Sequence, residues 1–303
     1  MSGPLLLHVG YHKTGTTWLQ RVLFTGRFGW APLMSHEEVF ATITRPHALA
    51  FDPAPAQALI AARAGPGAAN VISSEILSGH PFYGARESAE FARRLAAVAP
   101  GARILITIRE QMRIMTSVYM QYLSRAGTLA PEAFFRDDPV VGFTGFDPVH
   151  YEYHRLAGLY QQLFGAASVL VATQEALARD PAGFAARIAA FAGNPVRPAA
   201  AELAGGREAV SYPEYAAPLL RRANFLRAGP AGLPVADLGA AGRGLYRLAG
   251  GLARLRPVAA LMGGRRPVLA HVQARFAGRF AASNRALAAM LADPPDLAGY
   301  DGM

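Results

Sequence analysis

Four short apolar runs limit what this chain can fold into. They are Pro4–Gly10, Ala69–Ser74, Arg103–Ile108 and Ser168–Ala172. None alternates apolar with polar, so each reads as a strand buried on both faces. Helical spacing follows them at residues 15–25, at Arg86–Val98 before Pro100, at Met112–Ser124, at His150–Phe164 before Gly165 and at Pro181–Phe191 before Gly193-Asn194-Pro195. Strand–helix alternation of this kind predicts a parallel sheet covered on both sides. With 303 residues and 52% apolar content the chain can bury such a core.

Beyond residue 200 the strand pattern stops. Residues 213–228 read as helix. Residues 229–267 are rich in Gly, Ala, Arg and Leu with prolines at 230, 234, 257 and 267, and Val268–Leu291 reads as a closing helix. The expected organisation is one domain over 1–303, with an α/β core over 1–200 and a helical extension over 201–303 that covers the cleft. The stretch Arg243–Arg266 is basic and apolar. It fits a solvated helix face with a loop, and less well a membrane-surface or polyanion contact, because glycines and Pro257 interrupt it.

The chain has no cysteine, which excludes disulfides, zinc–thiolate sites and a cysteine nucleophile. No apolar run approaches the roughly 18 residues of a spanning helix, and Met1–Pro4 carries no positive n-region, so a cytoplasmic protein is expected. The net charge of +9 favours anionic ligands. No nucleic-acid recognition motif accompanies it.

The most informative segment is Val9-Gly10-Tyr11-His12-Lys13-Thr14-Gly15-Thr16-Thr17. It follows a strand and opens a helix. Such a turn aims main-chain N–H groups at one point, at the positive end of a helix dipole. Gly10 and Gly15 keep the glycine spacing of the NTPase phosphate loop, but Thr16 stands where that loop has its lysine. Lys13 is the only lysine; the other 29 cationic side chains are arginine. A compact ammonium and a planar fork are not equivalent at a phosphate. The expected architecture is therefore a three-layer P-loop-like α/β fold. It has a central parallel sheet of 4–5 strands, helices on both faces and a mainly helical C-terminal region.

The run Tyr11–Thr17 resembles the 5′-phosphosulfate loop of sulfotransferases that use 3′-phosphoadenosine 5′-phosphosulfate (PAPS). A second element supports the resemblance. Arg109 closes the run Arg103–Ile108, and Ser117 follows eight residues later in the next helix, with Tyr119 two further on. The resemblance implies that Arg109 and Ser117 hold the nucleotide 3′-phosphate, and that His12, Lys13, Thr14, Gly15, Thr16 and Thr17 hold the phosphosulfate. The family often has Asp-Pro after the arginine; here Glu110-Gln111 stands instead. Gly205-Gly206-Arg207 falls where the family places a basic segment over the 3′-phosphate, which makes Arg207 a further candidate. Landmarks at Leu163–Gly165, Glu175–Leu177 and Ala282–Arg285 with Asp296–Tyr300 are similar to those of bacterial members.

Sulfuryl transfer needs charge stabilisation on the leaving oxygen and a base for the acceptor proton. Lys13 suits the first role, and no metal is required. Glu75 comes first for the second, because it ends Val71–Glu75 at a carboxyl edge, at the position where cytosolic sulfotransferases carry their catalytic histidine. Glu37 and Glu38 compete, 24 and 25 residues after Lys13, near the catalytic glutamate of heparan-type members. His12 and His80 remain alternatives. Ser73 and Ser74 read as satisfying strand-end backbone more than as bonding the transferred group, and Phe134, Phe135, Phe143, Phe146 and Tyr151 as packing residues more than as a stacking surface for a sugar or flat ring. The expected partners are the nucleotide and a saccharide, lipid or small-metabolite acceptor. Two other readings stay open: a nucleotide kinase or NTPase with a variant loop, and a non-catalytic polyanion-binding protein.

Overall fold

The computed structural model describes residues 5–136, 145–203, 211–232 and 234–303. Five strands, β1 (Leu5–His8), β2 (Trp30–Pro32), β3 (Ala69–Ser73), β4 (Arg103–Ile108) and β5 (Val169–Thr173), form one sheet in the order β2-β3-β1-β4-β5. Every pairing is parallel; Leu7 sits opposite Ile72 on one side and Ile104 on the other. The unbroken apolar runs have their reason here. Leu7, Ile72, Ile104 and Ile106 enter one buried cluster, and Leu6, Val71, Leu105 and Leu170 enter the cluster on the opposite face.

Helices cover both faces. They are α1 (Thr16–Trp18, continued by a π turn, Leu19–Leu23), α2 (His36–Val39), α3 (Ala54–Arg63), α4 (Ser88–Val98), α5 (Gln111–Ser124), α6 (Pro131–Phe134), α7 (Tyr153–Phe164), α8 (Gln174–Arg179) and α9 (Pro181–Ala192). The C-terminal region is helical among the described residues: α10 (Ala217–Asn224), α11 (Ala240–Ala253), α12 (Arg256–Met262), α13 (Pro267–Phe276) and α14 (Ala281–Met290). It is not detached, because Val268, Phe276, Leu287 and Tyr300 share a buried cluster with Leu7 and Ile106. No helix among the described residues is long and apolar enough to cross a membrane.

The chain leaves β1 for the edge strand, returns through β3 and then crosses to β4, so β1 marks the topological switch point. Ligand crevices of parallel sheets open at the carboxyl end of such a strand.

Three sequence expectations change. Strand β2 had no sequence signal: three residues ending in Pro32 are too few to show a pattern, and pairing with Ala69–Val71 makes it a strand. The expected helix over Val268–Leu291 is two helices. Gly278 takes φ 78° between them, and the Asp301 carboxylate accepts the amides of Gly278 and Phe280 at 3.0 and 2.8 Å. The stretch Arg243–Arg266 is mostly helix. Its glycines permit close packing, since a Cβ on Gly250 would stand 2.2 Å from the Tyr212 ring.

Candidate active site

A buried polar ladder crosses the carboxyl ends of β3, β1 and β4. The His8 ring lies 2.7 Å from Ser73 Oγ through Nδ1 and 2.9 Å from Thr107 Oγ1 through Nε2. Burial holds the imidazole neutral, at a pKa of about 3. Thr107 Oγ1 in turn meets Thr14 Oγ1 at 2.8 Å, and the Thr14 hydroxyl donates to the Tyr11 carbonyl at 2.6 Å. The loop after β1 is thus tied to the sheet beneath it, and the Thr14 side chain is spent on that tie. Ser73 and Ser74 bind histidines rather than capping strand ends, Ser74 Oγ lying 3.0 Å from His36 Nδ1.

Backbone geometry explains the glycine spacing. A Cβ on Gly10 would stand 2.7 Å from both His8 Nε2 and Thr107 Oγ1, and Gly15 adopts φ 91° at the start of α1. Lys13 also occupies the left-handed region, at φ 69°. That conformation costs a non-glycine residue on the order of 1 kcal/mol and recurs at functional sites. No hydrogen bond or ion pair engages the Lys13 ammonium among the described residues. Thr16 Oγ1 and His12 Nδ1 are buried without a hydrogen-bond partner among the described residues. Buried polar atoms are ordinarily paired, and these two flank the uncommitted Lys13 in one loop, where they fit an anionic group. Burial, reinforced by the nearby His80, His150 and His36, holds His12 neutral at a pKa of about 3.

Arg109 follows β4. Its Nη1 donates to Ser117 Oγ at 3.1 Å and to the Lys13 carbonyl at 3.4 Å, and its Nε is buried with no hydrogen-bond partner among the described residues. Desolvation lowers the guanidinium pKa, with Glu175 opposing. The Tyr153 hydroxyl donates to the Arg109 carbonyl at 2.6 Å. Glu110 replaces the aspartate of the expected pattern as a helix cap, accepting the amides of Met112 and Arg113 at 2.8 and 2.9 Å. Glu175 accepts the Glu110 amide and the Tyr300 hydroxyl, which ties the C-terminal tail to this junction.

Two adjoining cavities of about 620 and 560 Å³ share Met120, Ser211 and Tyr212 along α5. The first contains Lys13, Gln121 and Arg254; the second contains Arg109, Arg113, Ser117 and Arg266. Together they form one groove, with the lysine toward one end and three arginines at the other. The Arg254 guanidinium lies 4.5 Å over the Tyr212 ring. Sequence reasoning missed Arg113, Tyr212, Arg254 and Arg266. Arg113 carried a signal, four residues beyond Arg109, and Arg254 and Arg266 lie in the basic stretch Arg243–Arg266 that the sequence shows.

The candidate bases sit differently. Glu75 opens the turn after β3, and Ser74 beside it donates its amide to the His8 carbonyl. The carboxylate has no hydrogen-bond or ion-pair partner among the described residues. Both Glu38 oxygens are taken by Arg63, at 2.7 and 2.8 Å, and the Ser35 amide adds a third bond. Those contacts lower its pKa to about 2. Glu37 is exposed, and hydrogen bonds from its own turn lower its pKa. His80 is half-buried, with its pKa lowered by desolvation. Thr17 is exposed at the first turn of α1. Arg207 and Phe143 lie outside the described residues; Phe134, Phe135, Phe146 and Tyr151 are buried against one another.

Comparison with protein-family models gives no match, and comparison with curated proteins gives none. Among solved structures the chain is similar to a sulfotransferase from Alicyclobacillus acidocaldarius. The two share 19% identity at a TM-score of 0.48, over 89% of this chain and 100% of that one.

Proposed function

We propose that the chain transfers a sulfuryl group from PAPS to a hydroxyl or amine of an acceptor, leaving 3′-phosphoadenosine 5′-phosphate. One observation carries this reading. A single groove holds an unpaired lysine in a strained glycine loop toward one end and an arginine–serine pair with an orphaned Nε at the other. Two anion sites in one groove suit a nucleotide phosphorylated at both its 3′ and 5′ positions.

In this reading Arg109, Ser117 and Arg113 bind the 3′-phosphate, and Arg207 is a further candidate for it. The amides of Thr14–Thr17, the Thr16 hydroxyl and His12 bind the phosphosulfate. The bond between sulfur and the bridging phosphate oxygen breaks as the acceptor oxygen or nitrogen bonds to sulfur. Lys13 stabilises the charge that develops on the bridging oxygen. Glu75 takes the acceptor proton, since its carboxylate is uncommitted while that of Glu38 is fixed by Arg63. No metal takes part. Residues 1–303 act as one unit, because α11 and α13 wall the groove that the loop after β1 opens.

Calorimetry with 3′-phosphoadenosine 5′-phosphate, then transfer from labelled PAPS over pooled saccharide, lipid and small hydroxylated acceptors, tests the proposal. Binding with chelator-resistant transfer is expected. Failure to bind that nucleotide, or magnesium-dependent turnover of ATP instead, overturns it.

A further inference from the structure

No aspartate or glutamate stands between Asp237 and Asp293, while nine arginines do. Helices α11 and α12 lie in this acid-free stretch, and the structure turns its apolar residues outward as well as inward. Tyr246, Ala249 and Ala253 are buried. Leu245, Leu248 and Leu252, at steps of three and four, are 41%, 58% and 46% exposed, and Leu255 before α12 and Leu261 on it are 50% and 78% exposed. Arg243 and Arg247 project from the other edge of the solvent-facing half of α11, and Arg256 and Arg265 from the α12 end; all four are exposed. The nearest acid, Asp237, is committed to the amides of Gly239 and Ala228.

We propose that α11 and α12 dock this protein on an anionic lipid bilayer, with the leucines entering the headgroup boundary and the arginines meeting lipid phosphates. Charge complementarity and exposed apolar area both fit this partner. Arginine alone would suit any polyanion, but a solvated glycan or nucleic acid offers nothing to cover a line of leucines. A second copy would cover them only by setting arginine-rich, acid-free surfaces against each other, which repel. An interfacial helix combines both features, with an apolar edge, basic residues and no acid. The inner side of α11 packs on Tyr212, which lines the groove, so docking would hold the groove beside the membrane surface.

Flotation of the full chain with vesicles tests this without reference to catalysis. Vesicles of phosphatidylcholine alone should not retain the protein; vesicles with equal parts of phosphatidylglycerol should, less so at high salt. The double variant Leu248→Glu/Leu252→Glu should weaken partitioning by about tenfold or more, with circular dichroism unchanged. Arg243→Gln/Arg247→Gln should weaken it on phosphatidylglycerol by about tenfold as well. The proposal is overturned by no binding to phosphatidylglycerol vesicles, or by binding that the glutamate variant keeps in full. It is equally overturned if sedimentation shows a dimer that the glutamate variant dissolves. Failure of sulfuryl transfer alone leaves these readouts untouched.

Discussion

Arg109 and Lys13 are joined through the main chain: the arginine Nη1 donates to the lysine carbonyl at 3.4 Å while also holding Ser117 Oγ at 3.1 Å. Two of the cationic residues of the groove are therefore placed by one contact between the segments that follow β1 and β4. A lysine at 109 has no planar fork that bonds both partners through one nitrogen and keeps Nε for a phosphate. Arg109→Lys should weaken binding of 3′-phosphoadenosine 5′-phosphate by about 10- to 100-fold, and Ser117→Ala by less, in calorimetry.

Lys13 combines a strained backbone with an uncommitted side chain, and substitution separates the two. Lys13→Gly removes the strain but frees the unfolded chain, so its stability should stay within about 1 kcal/mol of the parent. Its turnover should still fall by about 100- to 1000-fold. Lys13→Ala should match that loss, and Lys13→Arg should recover little of it. A Lys13→Gly variant with normal turnover would remove the lysine from the chemistry.

The two carboxylates make opposite predictions. Glu75→Gln should lower kcat by about 100-fold or more while nucleotide affinity holds. Glu38→Gln breaks a paired, capped carboxylate at the start of α2 and should change thermal stability but leave kcat within a few fold. Steady-state kinetics beside a thermal melt distinguishes them.

Burial gives the protein a pH-dependent stability. His8, His12 and His150 are held at pKa values of about 3 against 6.5 in an unfolded chain. Between those values the unfolded state binds protons that the folded state refuses. Stability is therefore complete above pH 6.5 and falls as pH drops toward 3, at about 1.4 kcal/mol per pH unit for each histidine. Urea midpoints should fall steeply from pH 7 to pH 5, and His8→Asn should show a shallower slope.

Gly10 has no space for a side chain. Gly10→Ala drives a Cβ into the His8 ring and the Thr107 hydroxyl. A loss of about 1–3 kcal/mol in denaturant unfolding is expected, with the loop displaced from β4.

Local chemistry was enough to specify much of this protein. Four of the five strands were visible because a run buried on both faces must be apolar throughout. The glycine loop was visible because close approach and positive φ demand glycine at Gly10 and Gly15, and the Arg109–Ser117 spacing because a strand end and the next helix are contiguous in the chain. Tertiary contact decided the rest. A three-residue strand exists only through its neighbour, and Thr14 proved a structural tie only once Thr107 stood beneath it. The commitment of Glu38 depends on Arg63, and Arg266 and Tyr212 reach the groove from segments far from Arg109 in the chain. Packing also chose which leucines of α11 face water, since the helix must first turn Tyr246 and Ala253 inward. Such outcomes depend on which surfaces meet across long loops, and no residue spacing records that.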